Sequence, residues 1–105
     1  MTDVICEREF NTTIDGVVYP IRVSWDRPQP DRGDWRCDFR IVWPDGKISN
    51  GYAPGVDSTQ ALVLALYQIS GRLETAEMPV FWFDNAENEL GLPTYSSAEI
   101  TGETP

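Results

Sequence analysis

The chain has 105 residues and a net charge of −9, with eight basic side chains against 17 acidic ones; 41% of its residues are hydrophobic and 11% aromatic, enough for one packed domain and too few for two. That charge repels phosphate backbones and anionic lipid head groups, so nonspecific nucleic-acid or membrane-surface binding is disfavoured, and no stretch approaches the ~20 apolar residues of a membrane span. Histidine is absent, which removes the Ser-His-Asp triad, the Cys-His pair and every His-ligated metal site.

The opening residues, MTDVICEREF, lack a basic segment followed by an apolar run. No signal peptide is expected there, and a cytoplasmic location is. VICEREF sets Val4, Cys6 and Phe10 against Ile5, Glu7 and Glu9, with Arg8 breaking the apolar side. TIDGVV then predicts a hairpin, because Asp15-Gly16 supplies the positive φ that tight hairpins need. VVYPIRVSW alternates, with Val17, Tyr19, Ile21, Val23 and Trp25 on one face, as a half-buried strand does. DRPQPDRGD, with two prolines and alternating charges, predicts a solvated loop. DWRCDFRIVW is a third strand, pointing Trp35, Cys37, Phe39, Ile41 and Trp43 inward and Arg36, Asp38 and Arg40 outward. WPDGKI is a turn built on Pro44 and Gly46. KISNGY is a short fourth strand, placed at an edge because Asn50 and Gly51 weaken it.

A helix follows. Asp57 is a good N-cap and Gln60 completes a capping box. Leu62, Ala65, Leu66, Ile69 and Leu73 form a stripe expected to pack on the sheet. Beyond Pro79, VFWF at 80–83 predicts a short fifth strand, and TYSSAEITGETP from Thr94 a frayed tail. The order β-β-β-β-α-β predicts an α+β two-layer sandwich: a four-strand antiparallel meander, one helix across its inner face, and a short fifth strand. Residues 1–93 form the single domain and 94–105 the tail. The fifth strand joins the same sheet, by a right-handed crossover if it runs parallel to the fourth.

Apolar residues also occupy the other side of the helix: Val63, Leu64 and Tyr67, with Gly71 one turn on. Left in water such a patch is a liability. The segment around Leu90, Leu92 and Pro93 could cover it, two copies could pair there with Gly71 permitting close approach, or a different protein could dock. The charged sheet face carries Arg22, Arg36 and Arg40 together with Glu7, Glu9 and Asp38. It reads either as cross-strand ion pairs that keep an open face soluble or as an arginine recognition face for an acidic protein or RNA. No exposed aromatic is seen to interleave with these arginines, as single-strand binding requires.

Chemistry finds little support. Cys6 and Cys37 are expected on inward faces, where a buried thiol is inert. Asp57 is read as a cap, and Asp84, Glu87 and Glu89 in DNAENE as a solvated loop without the calcium-loop pattern. No catalytic, cofactor or metal site is assigned.

The pattern ER-F, two Trp-rich strands, GVDSTQALVLAL and LGLP resembles a family of short bacterial proteins annotated only by a domain of unknown function, over roughly residues 7–93. The resemblance implies a bacterial, single-domain, cytosolic protein and carries no activity. In layout, NGYAPGVDSTQAL is also similar to the HicB antitoxin family, where a small antiparallel sheet leads through a Gly and an Asp into a helix rich in Ala and Leu. This chain departs in its more apolar helix and in having no C-terminal DNA-binding segment. The reading that results is a non-catalytic acidic module acting through contacts with a protein partner or with a second copy of itself, immunity- or antitoxin-like. A carboxylate-dependent enzyme is the alternative, and RNA binding through the arginine face a second one.

Overall fold

The structure, a computed structural model, describes residues 3–82 and 90–94. Five strands and a helix follow in order: β1 (Val4–Ile14), β2 (Val17–Asp26), β3 (Gln29–Asp31), β4 (Asp34–Val42), β5 (Ile48–Gly55) and α1 (Ser58–Glu74). All pairings are antiparallel. β1 pairs β2, β2 and β3 share one side of β4, and β5 takes the other side. The class is α+β, one open sheet under one helix.

The first hairpin closes as its sequence dictates. Asp15 and Gly16 adopt φ of 51° and 79° between the paired residues Ile14 and Val17, the left-handed pair that a two-residue type I′ turn requires. The expected loop DRPQPDRGD is instead part of a second hairpin. Arg32 and Gly33, at φ 52° and 89°, repeat the same turn between Asp31 and Asp34. Trp25 pairs Phe39 and Gln29 pairs Arg36, four residues forward on one strand for three back on the other. The extra residue is a bulge around Arg27-Pro28 that divides β2 from β3. The β1–β2 ladder stops at Asp26, so β3 lies at an edge, where Pro30 interrupts no ladder.

Inward residues of β1, β2 and β4 make the core: Phe10, Ile21, Val23, Trp25, Cys37, Phe39 and Ile41 are all buried, with Trp35 and Trp43 packed against them. β5 presents Ser49, Gly51, Ala53 and Gly55 on the same face, every one small. A Cβ on Gly51 would lie 2.6 Å from the Phe39 ring, and one on Gly55 would strike the Ala61 backbone. These small side chains let α1 lie close on β5 and β4.

Close approach also turns the helix. Its fully buried residues are Ala61, Ala65, Ile69, Ser70 and Leu73. Of the expected stripe, Ala65, Ile69 and Leu73 are buried, while Leu62 and Leu66 pack on the core as half-buried flanks, because the position nearest β5 takes Ala61. Asp57 caps the helix, its carboxylate accepting the Gln60 N–H at 2.7 Å, while Gln60 Oε1 reaches back to the Val56 N–H at 2.8 Å. The cap is the expected one; the return bond falls one residue earlier than in the usual box.

After the helix the chain crosses to the opposite edge. Phe81 and Asn11 exchange both backbone hydrogen bonds, at 2.8 and 2.9 Å, as one antiparallel bridge beside β1. Within its described part, the expected strand at 80–83 thus joins β1 through an antiparallel bridge at Phe81, with no parallel crossover beside β5. Phe83, the DNAENE carboxylates and the tail beyond Thr94 lie outside the described residues.

Candidate functional site

Alternation sends Glu7, Glu9, Arg22, Asp38, Arg36 and Arg40 to the outer sheet face, as expected. Glu9 and Arg22 are direct cross-strand partners and meet at 3.4 Å. Arg36 donates to Asp38 at 2.7 Å, stands 3.8 Å from Asp31, and lays its guanidinium 3.9 Å from the Tyr52 ring centroid. The Asp38 hydrogen bond is the main reason that the Arg36 pKa is raised. Arg40, between Ser24 and Asn50, has no ion pair among the described residues. Burial, followed by the Asp38 charge, raises the neighbouring Asp26 carboxyl. Tyr52, 47% exposed, corrects the expectation that no aromatic accompanies these arginines. It could have been found, since Tyr52 shares the Ile48–Asn50–Tyr52 side of an alternating strand. The acidic Glu7, Glu9, Asp26, Asp31 and Asp38 nevertheless outnumber the three arginines.

The outer side of α1 is less bare than expected. Val63 is exposed, but Leu64 and Tyr67 are half-buried, and Leu64 packs against the core. A Cβ on Gly71 would meet nothing within 4 Å, so this position does open outward. Leu90 and Gly91 are tied to β1: Arg8 donates to their carbonyls at 2.8 and 3.1 Å.

Arg8 is therefore no flaw in the apolar face. It lies on the inner side between Cys6 and Phe10, and its guanidinium stacks 3.9 Å from the Trp82 ring centroid. Gly91 completes the clamp: it sits at φ 69°, and a Cβ there would collide with the Trp82 ring. One side chain thereby fastens two separated segments of the C-terminal region. A lone arginine in an apolar alternation was the available signal.

The larger apolar surface is one that alternation alone conceals. Val17 and Tyr19 lie on the inward face, yet they are 50% and 39% exposed. Ile14, on the same face, is 38% exposed, and Val18, on the outer face, is 57% exposed. β4 pairs β2 only from Arg22 onward, so the end of the first hairpin projects past the sheet. α1 lies over β4 and β5; Thr12, opposite Tyr19 on the inward face, is still fully buried, so the cover over this arm runs out only toward the turn beyond it. Ile14, Val17 and Tyr19 therefore form a small exposed apolar patch on the inward face at the turn, the kind of surface that marks a contact.

The cysteines divide. Cys37 is fully buried on β4 and its thiol is pushed up to about 11, chiefly by burial. Cys6 is exposed, contrary to expectation, because a bulge between Val4 and Cys6 ends the regular register on an edge strand that the helix does not cover. Among the described residues, no group of three His, Cys, Asp or Glu side chains is placed to hold a metal ion, and no helix is long and apolar enough to cross a membrane.

No curated protein and no solved structure matches the chain. One family model, described as a domain of unknown function (DUF6968), matches residues 6–94. That span coincides closely with the stretch whose motifs carried the first resemblance, and the chain belongs to this family.

Proposed function

We propose that the chain is a non-catalytic module that binds a basic protein, as an immunity protein or antitoxin does. The observation that supports this is how its cations are used. Arg22 faces Glu9, Arg27 faces Asp3 at 2.6 Å, Arg36 faces Asp31 and Asp38, and Lys47 faces Asp45 at 3.8 Å. Arg8 is clamped on Trp82, and Arg72 lies 4.9 Å from the Phe39 ring centroid. Only Arg32 and Arg40 lack such a partner among the described residues. Paired charges cancel locally, and with a net charge of −9 the field that remains is that of carboxylate. Such a field attracts a basic surface and accelerates its capture. Asp57, one carboxylate that an enzyme reading would need, serves the helix cap.

Titration against the basic product of a neighbouring gene tests this. Affinity should fall at least tenfold from low to high salt, because long-range attraction is screened. An acidic partner, or affinity indifferent to salt, would overturn the reading. A second reading, RNA binding by the outer face, draws support from Tyr52 stacked on Arg36. Retention of RNA at low salt and release at high salt would favour it, and no retention at low salt would dispose of it.

A further inference from the structure

We infer that two copies of the chain join edge to edge through β5, making one continuous antiparallel sheet. The alternation of the ladder defines what β5 leaves open. Trp43 N–H donates to the Lys47 carbonyl at 2.9 Å, and along an antiparallel ladder bonded and unbonded pairs alternate. The register runs unbroken from Val42↔Ile48 to Trp35↔Gly55, so Ser49, Gly51, Ala53 and Gly55 bond to β4. Ile48, Asn50, Tyr52 and Pro54 turn their backbone groups outward. Proline at 54 fits this alternation, since its missing N–H takes no bond from β4. Gln68 Nε2 donates to the Tyr52 carbonyl at 3.3 Å, from outside the ladder. Among the described residues, nothing else meets the backbone groups of Ile48, Asn50 and Tyr52 on this edge. The β1 edge, by contrast, carries the bridge to Phe81.

The residues along the open edge match a second copy of themselves. From Ile48 to Val56 the chain carries no charge, whereas a sheet edge that must stay single is guarded by charge, proline or a bulge. Lys47 and Pro54 stand only at the two ends and confine pairing to the stretch between them. A two-fold axis at Asn50 pairs Asn50 of one copy with Asn50 of the other, and Ile48 of each with Tyr52 of the other. That register uses all three outward N–H groups, about six hydrogen bonds in all. A register centred on Gly51 brings in Pro54 and loses bonds, and one centred on Ser49 sets Tyr52 against the turn at Gly46. The Tyr52 carbonyl has a second lone pair beside the one that Gln68 uses. Ile48 and Tyr52 are 54% and 47% exposed. The Asn50-centred pairing covers each with the other, a β-branched side chain against an aromatic one. On the inner face Ser49 and Gly51 offer little to hinder the approach. The arrangement is isologous and closed. The paired stretch is roughly 17 Å long, and the contact falls below the about 1,200 Å² of a standard interface, so the dimer is weak.

Sedimentation velocity on the full chain, from micromolar to near-millimolar concentration at low and high salt, tests the inference. The mass should rise toward twice the 11.9 kDa of the chain. High salt should strengthen the dimer by screening the repulsion between two acidic copies. Hydrogen exchange at the Asn50 and Tyr52 amides should slow at least tenfold over the same concentration range. Asn50→Pro removes an outward N–H and no bond to β4, so association should weaken at least tenfold while circular dichroism is unchanged. Asn50→Asp and Asn50→Lys should each weaken it as much, by setting like charges across the axis, and a mixture of the two should form a heterodimer. A monomer under every condition overturns the proposal and leaves the edge to a strand of another protein. So does a dimer that these substitutions leave intact, or a mixture that stays monomeric, since position 50 then does not face itself. If Asn50→Pro fails to fold, the Asp and Lys variants still decide. The basic-partner reading is judged separately by its own titration, where salt acts in the opposite direction.

Discussion

Replacing Arg8 with methionine keeps the length of the side chain and removes its planar cation. Three contacts disappear: the stack on Trp82, the bond to the Leu90 carbonyl at 2.8 Å and the bond to the Gly91 carbonyl at 3.1 Å. A partly desolvated cation–π contact contributes about 1 kcal/mol. A hydrogen bond from a charged donor contributes roughly 1.5 kcal/mol or more when shielded, and less at the exposed Gly91. Together they imply a loss of about 2–3 kcal/mol, or roughly 10 °C or more in Tm for a domain of this size. Arg8→Lys keeps the charge without the flat fork and should lose about half as much. Urea unfolding followed by tryptophan fluorescence measures both. Hydrogen exchange at the Phe81 amide, which donates to Asn11 O, reports the clamp locally. If Arg8→Met changes stability by less than about 0.5 kcal/mol and the Phe81 amide exchanges as before, Arg8 does not hold the C-terminal segments and its assignment here is wrong.

Gly55→Ala should cost several kcal/mol, on the order of 2–4, because the new methyl meets helix backbone that cannot turn aside; thermal unfolding reads this directly. Asp57→Ala removes the helix cap and should cost about 1 kcal/mol in urea unfolding. In the native protein a thiol reagent should modify Cys6 alone, with Cys37 reacting only after denaturation, as mass spectrometry would show. The Cys37 thiol is raised from 9.0 to about 11, so the folded state favours its protonated form. The resulting stability is present below pH ~9 and is lost as the pH rises from there toward ~11, because the unfolded thiol ionises first. Relative to Cys37→Ala, the wild type should lose about 2 kcal/mol across that window; parallel stability curves for the two proteins would contradict this.

Much of the fold was legible because the sheet obeys a period of two. Trp35, Phe39 and Trp43 point inward and Arg36 and Arg40 outward, and both Asp15-Gly16 and the turn at Pro44–Gly46 lie where their φ requirements place them. What escaped the reading has definite physical causes. β3 was hidden because proline and charge argue for a loop, whereas an edge position beside a bulge tolerates both. The helix face was misjudged by weighing side-chain size on the helix alone. The matching clue lay on β5, where Ser49, Gly51, Ala53 and Gly55 recur at every second position and demand alanine opposite. The arm was missed because alternation reports which face a residue takes and is silent on whether anything lies over it. Arg8 was taken for an interruption because its partners, Trp82, Leu90 and Gly91, lie more than 70 residues away in the chain.

Tyr19 and Ile21 measure where the helix layer ends. They occupy the same face of β2 two residues apart, yet Tyr19 is 39% exposed and Ile21 is 0% exposed. Unfolding of Tyr19→Glu and Ile21→Glu compares them directly. Tyr19→Glu should cost about 1 kcal/mol, the ordinary strand-propensity difference, while Ile21→Glu should abolish folding by burying an unpaired carboxylate. If the two substitutions are equally damaging, the arm is part of the closed core, and the contact surface assigned to it does not exist.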